Sequence, residues 1–145
     1  MDFPIAELLD EDLSQAWVEK YFHPEGLKCL KCGAGRNQAR WYRRTQCSQV
    51  DVYRCHACDG IYNVYSGTVL AGKHLRPSQT VLLLRGVCQG TPSARLAREL
   101  GLSRTTVHHL RQARQANARH LQPTTALADR HSETDEMFQN AGEKR

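Results

Sequence analysis

The sequence predicts a small α+β protein, in which a four-cysteine zinc ribbon is followed by an all-α helix-turn-helix domain and a short polar tail. Three observations carry this expectation. Two Cys-x-x-Cys knuckles, Cys29/Cys32 and Cys55/Cys58, are separated by residues 33–54, twenty-two in number. β-rich runs flank the second knuckle, whereas after Pro77 the apolar period becomes helical. Gly101 then divides two helical stretches where a sharp turn is needed. The expected segments are 1–26, a helical leader; 27–72, the ribbon; 73–122, the helix-turn-helix domain; and 123–145, the tail.

Taken in order, Asp10 is placed to cap a first helix whose apolar positions Leu13, Ala16, Trp17 and Tyr21 recur at helical spacing, and His23-Pro24-Glu25-Gly26 stops it. A short strand is expected around Trp41, Tyr42 and Arg43. Val50, Val52 and Tyr53 lead into the second knuckle as another, and the run from Ile61 to Tyr65 leaves it as a third. Gly67 and Gly72 mark the exit from the ribbon. A helix opens at Pro77 or Ser78, runs through Val81, Leu84 and Val87, and ends at Gly90-Thr91-Pro92. The next spans about Ser93 to Leu100. After Gly101, Ser103 caps a last helix reaching about His120, and Pro123 closes the run.

Each knuckle places two thiolates on one tight turn, and two such turns supply the four soft ligands of a closed tetrahedral zinc site. Such a site leaves no position open to substrate, so the expected Zn2+ is structural, held by Cys29, Cys32, Cys55 and Cys58. Disulfides and redox chemistry are the rival readings. Met1 to Lys20 carries six acids and no unbroken apolar core, unlike a signal peptide, so the expected compartment is the cytoplasm, at the nucleoid, where thiols stay reduced. A redox knuckle needs a thioredoxin-like strand and helix, whereas Gly33, Gly35 and Asp59-Gly60 surround these cysteines. His56 is expected at the surface, Cys47 in a loop, and Cys88 buried beside Val81 and Leu84.

Charge is distributed unevenly around a formal net of +5. Residues 71–120 carry Lys73 and the arginines 76, 85, 95, 98, 104, 111, 114 and 119 against one acid, Glu99. Such a block suits a polyanion, although a basic helix face is also compatible with simple solvation. No stretch is long and apolar enough for a membrane span, and no membrane partner is expected.

The segment from Ser93 to Gln112 has the composition of a helix-turn-helix, with small Ala97 at the crossing, Gly101 at the turn, and Leu96, Leu100, Leu102, Val107 and Leu110 as the apolar seam. The second helix of such a pair lies in the major groove of double-stranded DNA. Ser103, Arg104, Thr105, His108, His109 and Gln112 lie outside the seam and are the candidate base-facing residues. Arg95, Arg98, Arg111, Arg114 and Arg119 are the candidate phosphate contacts.

The order of these pieces resembles bacterial insertion-sequence transposases with an N-terminal zinc ribbon, a helix-turn-helix and a ribonuclease-H-like catalytic domain of the Asp-Asp-Glu type. The resemblance rests on the knuckles Lys28 to Gly33 and Tyr53 to Cys58, on Ser66 to Thr68, on the helix-turn-helix, and on Glu133 to Glu136 in the tail. It implies that Asp135 is the first catalytic, metal-binding carboxylate. The later carboxylates of the triad have no counterpart before Arg145, so Mg2+ chemistry is expected only in a complete catalytic domain. The resemblance thus implies the DNA-binding part of a transposase, truncated and inactive alone, recognising element ends and pairing with itself or a full-length transposase. A stand-alone transcription regulator built from the same two modules is the alternative, and a third reading makes the ribbon a protein adaptor.

Overall fold

The computed structural model describes residues 10–124, so Asp135 and the motif from Glu133 to Glu136 lie outside the described residues. The elements follow the order α1 (Glu11–Phe22), a 3-10 turn (Arg36–Gln38), β1 (Ala39–Arg44), β2 (Asp51–Cys55), β3 (Ile61–Asn63), α2 (Pro77–Cys88), α3 (Ser93–Leu100) and α4 (Arg104–His120). This is a small α+β fold, with four helices and a three-stranded antiparallel sheet among the described residues.

Local chemistry sets most boundaries. Asp10 caps α1, its carboxylate accepting from the backbone N–H of Asp12 at 2.8 Å and of Leu13 at 3.0 Å. Pro77 occupies the first turn of α2, where its missing N–H breaks no helical bond. Gly101 takes φ 66°, which lets α3 end abruptly, and Ser103 Oγ accepts from Thr106 N at 3.0 Å to start α4. The third strand is shorter than expected. Asn63 Oδ1 accepts from Tyr65 N at 2.9 Å, which folds the chain out of the ladder and sends Val64 and Tyr65 into the core beside the helices.

The sheet order is β1-β2-β3. Arg40 stands opposite Arg54 and Tyr53 opposite Tyr62, and a bulge interrupts the ladder between Trp41 and Arg43. Two hydrophobic cores result. The smaller joins Leu27, Cys29, Tyr53, Cys55 and Tyr62 around the knuckles. The larger gathers Trp17 and Val18 of α1, Val50, Val64, Tyr65, Leu70 and Leu75 from the sheet connections, and the inner faces of α2, α3 and α4. Apolar packing is therefore continuous across residue 72. Buried Tyr65 strengthens that junction through a 2.9 Å hydrogen bond between its hydroxyl and that of Thr80.

Two expectations are corrected. The inward face of α1 is Ser14, Gln15, Trp17 and Val18, while Leu13 is 52% exposed and Tyr21 also faces out. Polar tethers rotate the helix this way. Gln15 Oε1 accepts from Asp51 N at 2.9 Å, and the Glu11 carboxylate accepts from Ser78 N at 3.1 Å and Ser78 Oγ at 2.6 Å, so α1 is tied to β2 and to the start of α2. Cys88 is exposed rather than buried, because it lies at the last position of α2, where the chain turns toward Gly90. His56 is exposed and Cys47 lies in the turn after β1, as expected. No helix among the described residues is long and apolar enough to cross a membrane.

Candidate metal centre

The two knuckles are built by the same backbone device. In the first, Gly33 N donates to Cys29 O at 2.9 Å and Cys29 N to Ala34 O at 2.9 Å; in the second, Asp59 N donates to Cys55 O at 3.1 Å and Cys55 N to Gly60 O at 2.9 Å. The residue after each pair adopts a left-handed conformation, φ 74° at Gly33 and 58° at Asp59. Two copies of one turn thus face each other. The β2–β3 hairpin presents the second, and an isolated bridge from Lys28 to Gly35 closes the first.

Their four sulfurs converge. Cys29 Sγ is 3.4 Å from Cys58 Sγ, Cys32 Sγ is 3.5 Å from Cys55 Sγ, and all four lie within 4.8 Å of one another. A tetrahedral ion with metal–sulfur bonds near 2.3 Å requires edges of about 3.8 Å. The four cysteines can therefore hold one metal ion, with no position left for a substrate.

Gly60 leaves the room this cluster needs. A Cβ on Gly60 would lie 3.1 Å from Cys58 Sγ and 3.2 Å from Cys29 Sγ, tighter than ordinary packing allows. The backbone also tunes the thiols. The N–H groups of Cys32 and Lys31 lower the Cys29 pKa to about 7, and the N–H of Cys58 leads those that lower Cys55. At Cys58 the Gly60 N–H acts in the same direction, but the neighbouring Cys29 sulfur and burial outweigh it and push the pKa up to about 12. A bound dication removes the protons that remain, because a coordinating thiol is held as thiolate. Tyr62 packs in the same small core, where burial, and then charge on Cys29 and Cys55, raises its phenol pKa.

The second group of candidate residues lies on α4. Ser103, Arg104, Thr105, His108, His109 and Gln112 are all exposed, whereas Val107 and Leu110 are buried against α3. The candidate phosphate contacts divide. Arg95, Arg98 and Arg119 are exposed, Arg95 pairing with Glu99 at 2.8 Å. Arg111 and Arg114 are half-buried and share the inward stripe of Val107 and Leu110. Arg111 donates to Thr91 O at 2.9 Å and Ser93 Oγ at 3.1 Å, and burial lowers the Arg114 pKa. Helical spacing could have separated these two arginines from the others, since 107, 110, 111 and 114 follow one stripe.

The room that Gly60 leaves at the sulfurs and the knot around Asp51 are not among the sequence-based expectations. Asp51 accepts from Trp41 Nε1 and Arg44 Nε, each at 3.1 Å, and Arg44 reaches on to Asp12. A glycine two residues beyond the second thiol knuckle was the available signal for the first. The knot joins residues far apart in sequence and left none.

Comparison of the chain with protein-family models, with curated proteins and with solved structures finds no match.

Proposed function

We propose that this chain is a zinc-stapled DNA-binding protein, the recognition part of an insertion-sequence transposase, and that α4 reads element-end DNA in the major groove. The observation that carries the reading is the two-sided character of α4. Its inner stripe is fastened to α3 by Val107, Leu110 and Arg111, and its outer stripe presents Arg104, Thr105, His108, His109 and Gln112 without apolar cover. An arginine near the start of such a helix can donate both guanidinium N–H groups to a guanine, and a glutamine two turns on can address adenine.

The three-residue turn from Gly101 to Ser103 supports this arrangement. The left-handed Gly101 and the Ser103 cap bring the start of α4 next to the end of α3, and Gln79 Nε2 donates to Leu100 O at 3.0 Å, fixing α2 to the same corner. Arg95, Arg98 and Arg119 are then the phosphate contacts, while Arg111 and Arg114 position the helix. The metal is zinc, whose preference for four thiolates in a tetrahedron matches the cysteine set, and its role is to hold the sheet. Cutting and joining DNA would need further carboxylates beside Asp135 to hold Mg2+, so the part played by the residues of α4 is recognition.

Selection of a preferred duplex from a random pool, followed by titration of Arg104→Ala, tests the reading. The variant is expected to lose roughly 1 to 3 kcal/mol on the selected site and little on scrambled DNA. Equal loss on both, or no selected sequence at all, argues against base reading by α4. A selected site found at the ends of a mobile element favours the transposase over the alternative, a stand-alone regulator.

A further inference from the structure

The outer face of the sheet carries charge that nothing in the metal centre or in α4 uses. In the ladder, Arg40 of β1 stands directly opposite Arg54 of β2, which in turn faces Ile61 of β3. Like charges placed opposite one another oppose strand pairing, so this row is unfavourable to the sheet by itself. The bulge after Trp41 brings Tyr42 to the same side, with the Arg43 guanidinium 5.7 Å and the Arg54 guanidinium 5.9 Å from its ring centre. Tyr42 and Ile61 are 43% and 56% exposed, so this part of the face is open to solvent.

Acid balance distinguishes this face from the opposite one. Arg36 is paired with Glu19, and Arg44 with Asp12 and Asp51. On the outer face Arg54 alone has an acid, Asp59 at 3.0 Å, while Arg40 and Arg43 have no carboxylate partner among the described residues. Arginines held against an aromatic ring and short of acids form a surface complementary to a polyanion.

We propose that Arg43 and Arg54 beside the Tyr42 ring, with Arg40 opposite Arg54, form a second DNA contact, in which the ribbon grips the phosphate backbone independently of α4. The proposal rests on the reading of the chain as a DNA-binding protein. Phosphate contact positions the protein without reading sequence, so the ribbon adds affinity and α4 adds choice.

The test uses the full zinc-loaded chain and a mixed-sequence DNA duplex, titrated over a range of salt concentrations. Arg40→Ala/Arg43→Ala is compared with Arg40→Lys/Arg43→Lys and, separately, with Arg104→Ala on the selected duplex. Zinc content and helical circular dichroism verify that each variant is folded. Loss of two phosphate contacts should reduce the slope of log K against log salt by about 1.8, and the lysine pair should restore it. An unchanged slope in the alanine pair overturns the proposal, as does a lysine pair that fails to restore it. If Arg104→Ala is then still specific in its loss, α4 reading survives. If only the ribbon variant weakens binding, the second contact stands and the α4 reading falls.

Discussion

Gly86 of α2 lies directly against Leu96 of α3: a Cβ built on Gly86 would stand 3.0 Å from Leu96 Cγ and Cδ1, and nearer still to Cδ2. Leu96 is buried in the main core, so its side chain can yield only by displacing packed neighbours. Alanine at this position gains roughly 0.5 to 1 kcal/mol of helix propensity but forces overpacking of about 1 to 3 kcal/mol. Gly86→Ala should therefore destabilise the chain, by up to about 2.5 kcal/mol, in a denaturant titration. Stabilisation would mean that α2 and α3 are not in this close contact.

Acid sensitivity should be concentrated at Asp51. Burial alone would raise its pKa, but hydrogen bonds from Arg44, Trp41 and Gln15 outweigh that and hold it below the ordinary carboxylate value. A depressed folded-state pKa means stability that is fully present above the unfolded value, about 3.9, and lost as pH falls through the folded value. Asp51→Asn should lower stability at neutral pH and flatten its fall below about pH 4. Melting temperatures of both proteins across that range decide it. Parallel curves would place the acid limb on other carboxylates.

Metal removal should separate the two cores. Cys55 belongs to the small core with Leu27, Cys29, Tyr53 and Tyr62, whereas α2, α3 and α4 close on the larger one. One zinc per chain is expected by metal analysis, and chelation or Cys55→Ser should abolish the near-ultraviolet signature of the packed tyrosines. Helical circular dichroism should largely persist. Complete loss of helicity would show that the core running through Val64 and Tyr65 cannot close without the metal.

What could be read in advance was the chemistry that acts over a few residues. Asp10, Ser103 and Gly101 each act on backbone within one turn, and the four cysteines declare their purpose by spacing. Orientation was less legible. Leu13 and Tyr21 share a helical spacing with Trp17, yet α1 is turned by Gln15 and Glu11, whose partners Asp51 and Ser78 lie 36 and 67 residues away. Cys88 follows the period of Val81 and Leu84 but is the last residue of α2, where the chain turns away and leaves it exposed. Composition likewise treats all arginines alike, whereas the fold gives Arg104 to solvent and Arg111 to the loop before α3.

That last difference can be measured by comparing Arg111 with Arg98. Arg111 bridges Thr91 O and Ser93 Oγ with its two terminal nitrogens, which fastens the middle of α4 to the start of α3. A charged donor bonded to partly buried oxygens is worth about 1.5 to 3 kcal/mol, and lysine lacks the fork that reaches both. Arg111→Ala and Arg111→Lys should both lower stability, with the slope of log K against log salt unchanged, since no phosphate contact is lost. Arg98 is exposed on α3 without an ion pair among the described residues. Its replacement by alanine should leave stability alone and lower the salt slope by about 0.9, as expected for one phosphate. Unfolding curves and salt titrations of the three variants separate the roles. If Arg111→Ala keeps full stability and lowers the slope as Arg98→Ala does, Arg111 exchanges Thr91 for a phosphate when DNA binds.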